Sequence, residues 1–285
     1  MSTASYTAYV PVFNQAATLA QTLASLRAQS VPPAELLVID DGSTDNSAQV
    51  AAAAGATVLR QSANLGRGAA RARALAEAHH EFVLCCDATN RLAPDFAARS
   101  LAHFSSAPRL AAVLGRLTQP VPRTVAHRWR GRHLFLGRPG PLVKVAPHAT
   151  WATMVRRSAV LSVGNYRADL PAHEDDDAGQ RLRATGWELW CDHDMVAECI
   201  VDNTLLQVLA RYARWYEPRG RGWTWRDYPQ NLRTALRVMV PKDLAEHDWP
   251  SALVSLLLPH FLLGWAPRHP WLKENTAPAQ ISPAA

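Results

Sequence analysis

The sequence predicts an α/β protein, a mixed sheet flanked by helices with a helical C-terminal extension, and three features of its 285 residues carry that reading. Short β-rich runs alternate with helical patterns through the first hundred residues, as in a sheet whose early strands run parallel. At 38–47 the string VIDDGSTDNS ends an apolar run in two acids and a Gly-Ser-Thr turn, so a buried strand delivers paired carboxylates to a sheet edge. Beyond Asp202 the composition shifts to interleaved basic and aromatic residues.

Strands are expected at Tyr6 to Val12, Glu35 to Ile39, Thr57 to Gln61, Phe82 to Cys86 and Ala111 to Leu117. Between them, Ala17 to Gln29, Ser47 to Ala54, Gly68 to His79 and Asp95 to Phe104 carry helix formers with an apolar period of about 3.6. Gly55 suits a helix stop. From Thr118 to Ala149 the chain is rich in Pro, Arg, Gly and His without a clear period, which predicts a long loop or insertion. A second ordered stretch is expected from Thr150 to Val201. The expected domains are therefore residues 1–203, a helical basic and aromatic extension over 204–272, and a disordered Pro/Ala-rich tail over 273–285.

An apolar content of 48% can build a substantial core. The formal charge of +6 and a sequence pI near 9.5 suit a nucleotide, a phospholipid surface or nucleic acid without choosing among them. Cys85, Cys86, Cys191 and Cys199 form no C-x-x-C pair, so a reducing, cytoplasmic setting without disulfides is expected. The first residues, MSTASYTAYV, show neither a basic lead nor an apolar core of a signal peptide. Residues 211–242 hold eight basic residues against two acids, with Trp215, Tyr216, Trp223, Trp225 and Tyr228 interleaved. The apolar stretch from Ser251 is interrupted by Pro259 and His260 and falls short of the roughly 20 residues of a spanning helix. That composition fits contact with an anionic membrane surface, and equally a helical subdomain packing its tryptophans on a core.

Five strings stand in order: VPVFN at 10–14, IDDGSTD at 39–45, NLGRGAARARA at 64–74, CDATNRLAPDF at 86–96 and HEDDDAGQRLRATGW at 173–187. Together they resemble the family 2 glycosyltransferases, inverting enzymes of the GT-A fold, over roughly Tyr6 to Val201. The resemblance implies a nucleotide-sugar donor, a UDP-sugar in first place, and a glycan or lipid-linked acceptor, with no nucleic acid expected. It implies that Asp40 accepts a hydrogen bond from the base, that Asp41 braces the loop or the ribose, and that Pro11, Val12 and Asn14 lie beside the base. Asn64, Gly66, Arg71 and Asp87 match further positions around the nucleotide, with Asp87 near the sugar and diphosphate. Asp175 matches the general base, while Asp176 and Asp177 are read as first-turn acids that complement the helix dipole.

The chain departs from the family pattern at the metal motif, where Asp87-Ala88-Thr89-Asn90 puts Thr89 in place of the second acid of D-x-D. A hydroxyl is a poor ligand for a hard cation, so Mg²⁺ or Mn²⁺ is expected to bind weakly at Asp87 if it is used. A His that many relatives carry later is matched by Cys199, with Glu198 beside it. Three arrangements fit this: a weak metal held by Asp87, Asn90 and the diphosphate, neutralisation of the leaving group by arginines between Arg116 and Arg138, or a nucleotide-sugar-binding scaffold without turnover.

Overall fold

The computed structural model describes residues 4–135, 139–170, 173–218 and 222–264. These form two compact units, one from the described residues of 1–118 and 138–201, the other from those of 119–137 and 202–277.

The first unit begins with β1 (Tyr6–Val12), α1 (Ala16–Arg27), β2 (Glu35–Asp40), α2 (Ser47–Ala53), β3 (Thr57–Arg60), α3 (Arg67–Glu77) and β4 (Phe82–Cys86). Next come β5 (Asn90–Leu92), α4 (Phe96–Ser106) and β6 (Leu110–Thr118), followed by α5 (Val125–His133), which belongs to the second unit. The first unit resumes with β7 (Ala152–Arg156), α6 (Arg157–Ser162), α7 (Glu174–Ala184) and β8 (Glu188–Cys199). All five expected strands and all four expected helices of this unit are present, with ends shifted by up to two residues. The sheet has eight strands in the order β3-β2-β1-β4-β7-β6-β8-β5. β1 to β4 pair in parallel, β7 lies antiparallel to both β4 and β6, and β5 lies antiparallel to β8, so the sheet is mixed.

Side chains alternate across the strands. Tyr9, Leu37, Ile39, Val83 and Cys85 pack with Ala70, Ala74 and Leu75 of α3, Val160 of α6 and Leu182 of α7, which closes one face of the sheet. Strand order reverses at β1, whose neighbours are β2 on one side and β4 on the other, so the chain opens a crevice beyond the carboxyl ends of these three strands. The VIDDGSTDNS turn lies there. Gly42 sits at φ +75°, and a Cβ on it would meet the Ala63 backbone at 2.6 Å, so only glycine lets the turn pack against the loop after β3.

The second unit comprises α5, α8 (Leu205–Trp215), α9 (Tyr228–Thr234), a π-helical stretch (Ala235–Met239), α10 (Val240–Ala245) and α11 (Trp249–Gly264). Residues 119–135 therefore leave the expected 1–203 domain and join the C-terminal helices, a correction to the sequence-based boundary. The reason is polar. Arg128 donates to both carboxylate oxygens of Asp248 at 2.8 and 3.1 Å, Arg132 pairs with Asp243 and Asp248, and His133 lies 2.8 Å from Asp243. Trp129, fully buried, donates from Nε1 to Ser255 Oγ at 2.9 Å, and Ser255 donates in turn to Asp243 at 2.6 Å. The tail expected to be disordered, 273–285, lies outside the described residues.

Candidate active site

The candidate site residues lie on the loops after β1, β2, β3 and β4 and at the N-terminal ends of α3 and α7. After β1, Asn14 adopts a left-handed conformation at φ +52°, and its Oδ1 accepts from the Thr44 amide at 2.8 Å. Its own amide donates to Ser43 Oγ at 3.0 Å, so Asn14 clamps the turn after β2. Pro11 is half-buried and Val12 buried beneath this clamp at the end of β1.

At the end of β2 the two acids divide their work. Asp41 accepts from Gln61 Nε2 at 2.6 Å, the Leu65 amide at 2.7 Å and the Gly66 amide at 2.9 Å, which fixes the loop leading into α3. Burial raises its pKa, and those three donors oppose the rise. Asn64 Oδ1 reinforces the same loop by accepting from the Gly66 amide at 3.1 Å, and space stays open where Gly66 would carry a side chain. Asp40 is wholly buried: its Oδ1 accepts from the Ser43 amide at 2.9 Å, but its Oδ2 has no hydrogen-bond partner. The nearest cation to that oxygen is Arg60 Nε at 3.6 Å, on a side chain that is 58% exposed.

Arg71 on α3 is 3% exposed and does not reach the open crevice. It donates to Glu174, the first residue of α7, and contacts Asp87 Oδ1 at 3.5 Å. Burial opposes its charge, yet Glu174 and, more weakly, Asp87 hold its pKa well above the ordinary value. Asp87 is the half-exposed end of this chain of charges. The sequence reading missed Glu174, because its partner lies 103 residues earlier and four successive acids at a helix start show no preference for one of them.

Asp175, one residue on, is half-buried. Its Oδ1 accepts from the Asp176 amide at 2.9 Å, and its Oδ2 accepts only a long 3.4 Å bond from Thr150 Oγ1. Asp177 pairs with Arg181 at 2.6 Å one helical turn later, and Asp176 accepts from Gln180 at 3.1 Å. Among the four acids, these two are committed to their own helix. His148, buried behind Arg71, is held neutral by burial and by Arg71 and Arg183, its pKa falling to about 4, and it lies 2.9 Å from the Tyr166 hydroxyl.

The residues around the metal motif suit a divalent cation poorly. Asp87 already faces Arg71, Asn90 is buried and donates to the Trp151 carbonyl at 2.9 Å, and Glu198 is paired with Arg91 at 2.5 Å. Cys199, opposite Asn90 in the β5–β8 register, is buried. Among the described residues no three His, Cys, Asp or Glu side chains converge, so a cation here would depend on the diphosphate for most of its ligands. Of the arginines considered for the leaving group, Arg123 is exposed, and the other described ones are engaged. Arg116 donates to the His193 carbonyl at 2.8 Å, Arg130 to Asn203 at 2.5 Å, and Arg128 and Arg132 to Asp248, while Arg138 lies outside the described residues.

A family model described as glycosyl transferase family 2 matches residues 7–162. The poly-beta-1,6-N-acetyl-D-glucosamine synthase of Staphylococcus epidermidis is 22% identical over 268 residues, covering 86% of this chain and 62% of its own length. The succinoglycan biosynthesis protein ExoU of Rhizobium meliloti is 37% identical over 131 residues, 39% of this chain and 38% of that protein. Among solved structures, Staphylococcus aureus TarS 1–349 in complex with UDP-GlcNAc superposes with a TM-score of 0.57 at 15% identity, covering 90% of this chain and 81% of that one. The mannosyltransferase PcManGT of Pyrobaculum calidifontis, in complex with GDP-Man and Mn²⁺, does so at 0.56 and 18%, covering 96% and 73%. The structural matches share the fold, and the family model spans the strands and loops that carry Asp40, Asp41, Arg71 and Asp87, so the chain belongs to glycosyl transferase family 2.

Proposed function

We propose that this chain is an inverting glycosyltransferase that moves a sugar from a UDP-sugar to a hydroxyl of a glycan or lipid-linked acceptor in the cytoplasm. One observation carries the donor reading: Asp40 ends β2 at the crevice with a buried Oδ2 that no donor satisfies. A buried carboxylate oxygen without a partner is costly, and the imide N–H of a uracil is the donor it lacks. Arg60, exposed over more than half of its side chain, is the cover that the base displaces. The UDP-GlcNAc and UDP complexes of TarS and the polysaccharide-forming relatives support the same donor and acceptor class. Four buried free thiols support a reducing compartment.

In this reading Asp175 takes the proton of the acceptor hydroxyl through Oδ2 as the acceptor oxygen bonds to the anomeric carbon. The bond from that carbon to the diphosphate breaks, its electron pair leaves with UDP, and the configuration inverts. Asp41 and Asn64 hold the loop under the nucleotide, Pro11, Val12 and Asn14 shape the base side, and Asp87, aimed by Arg71, faces the sugar.

Calorimetric titration with UDP and GDP tests the donor assignment. UDP is expected to bind the more tightly, and Asp40→Asn to weaken it roughly ten- to a hundredfold, because an amide that keeps the Ser43 bond turns a second donor toward the imide. Unchanged affinity would remove Asp40 from the base site.

The donor set around Asp87 leads to a second expectation: EDTA changes donor affinity by less than about threefold, and Thr89→Asp creates a Mn²⁺-dependent gain by adding a charged oxygen beside the diphosphate. Tight Mn²⁺ binding by the parent protein, unaltered by the substitution, would show that other ligands serve. The alternative of a silent nucleotide-sugar-binding scaffold rests on Thr89 alone, and turnover assays with labelled donor decide it.

A further inference from the structure

The outward side of α11 is apolar from end to end. Trp249, Pro250, Leu253, Leu256, Leu257 and His260 are its exposed residues before the final glycine, and at about 100° per residue they fall within one stripe roughly 120° wide. The inward side holds Ser251 and Ser255 beside Leu258 and Leu262. The helix is thus at least as apolar toward solvent as toward its own core, the reverse of a surface helix. Trp249 is 70% exposed and Leu253 56%.

The stripe continues past the helix. His260 lies 3.0 Å from the Tyr228 hydroxyl and edge-on to its ring, and Tyr228 meets Trp225, itself 76% exposed. Leu236 and Val238 of the π-helical stretch, which packs against α11, are exposed with Arg237 between them. An exposed apolar helix face of this extent needs a partner.

Charge selects the partner. Arg226, Arg233, Arg237 and Lys242 are exposed and form no ion pair among the described residues, whereas Asp243 and Asp248 are buried in pairs with α5. No acid lies among the exposed residues of α11, and the nearby acids Asp227 and Glu246 are outnumbered by these four cations. A second copy of the same cationic surface is repelled, and an anionic one is attracted. Tryptophans at both ends match side chains that settle at the headgroup level. The 16 residues of α11 are too few to cross a bilayer, and no described helix is long and apolar enough to do so.

We infer that the α11 stripe, with Trp225, Tyr228 and the flanking cations, is a docking surface for an anionic lipid bilayer, on which α11 lies in the plane of the interface. The inference concerns the second unit alone and does not depend on the donor reading.

Sedimentation of the full chain with vesicles tests it, using about one-third phosphatidylglycerol in phosphatidylcholine against phosphatidylcholine alone. Binding to the anionic vesicles is expected at low salt and is expected to weaken at about 0.5 M salt. The exposed double substitution Leu253→Asp with Leu257→Asp is expected to lower binding at least about tenfold, and Arg237→Glu about fivefold or more, with the far-UV circular dichroism spectrum and Tm unchanged as evidence of folding. Failure of the parent protein to sediment, or double-variant binding equal to the parent's, overturns the proposal. A concentration-dependent dimer abolished by the same double substitution would assign the stripe to a second copy. Vesicle binding that emerges only after removal of residues 265–285 would assign it to that tail.

Discussion

Replacing Asp175 with Asn is expected to lower turnover by at least about a hundredfold and leave UDP affinity within about twofold, the pattern of a lost general base. The geometry behind this is the inequality between its two oxygens. Oδ1 is committed to the Asp176 amide at 2.9 Å, whereas Oδ2 has only the 3.4 Å contact from Thr150 and stays available to an incoming hydroxyl. An amide keeps the size and the bond from the Asp176 amide but cannot take a proton. Asp176→Asn is the matched control, because that carboxylate accepts from Gln180 one turn along α7. Single-turnover measurements with saturating donor separate the two. Equal losses in both variants would mean that the base sits elsewhere.

The second large effect is on stability. Glu174→Gln removes the principal counter-charge of Arg71 while both side chains are 4% exposed, and a buried guanidinium left with one half-exposed carboxylate at 3.5 Å is poorly compensated. Breaking a buried pair from one side costs about 3–5 kcal/mol, a fall in Tm of roughly 6 to 20 °C. The double substitution Arg71→Met with Glu174→Leu is expected to melt above either single variant, since an apolar pair needs no counter-charge. Activity gives the separate readout: in the proposed reading Arg71 and Glu174 position Asp87, so the folded double variant is expected to keep UDP affinity and lose turnover. A Glu174→Gln protein that melts within about 1 °C of the parent would show that the pair contributes nothing net.

Both effects turn on what a linear reading can and cannot carry. β1 to β4 were legible because each is a short run rich in β-forming residues, with a helical pattern after each of the first three, and local pattern is enough to place a strand. The acid pair at 40 and 41 was legible because it ends an apolar strand at a turn, whereas Asp87 and Asp175 were singled out by the family resemblance, and the fold places them at the end of β4 and the start of α7. The division between Asp40 and Asp41 was half visible: the sequence marks a pair, and only the fold shows that Asp41 meets Gln61, Leu65 and Gly66 while Asp40 keeps a free buried oxygen.

The role of Arg71 was not legible. Its motif points to the nucleotide, but its guanidinium is buried against a carboxylate 103 residues away, and charge pairing at that separation leaves no periodic trace. Nor was α5, whose sequence VAHRWRGRH has no apolar stripe. It buries Trp129 and Arg130 among polar partners, and Arg128, Arg132 and His133 are held by Asp243 and Asp248 more than a hundred residues later, so the segment reads as a loop until those acids are brought to it. The outward stripe of α11 was visible only as an apolar run too short to span a membrane, since which side of an all-apolar helix faces solvent is set by its neighbours. Local pattern determined the strands, the helices of the first unit and the acid pair at 40 and 41, because each depends on residues a few positions apart. Tertiary structure decided which charges are spent on one another and which face is left uncovered, because burial and long-range pairing depend on residues that meet only when the chain has folded.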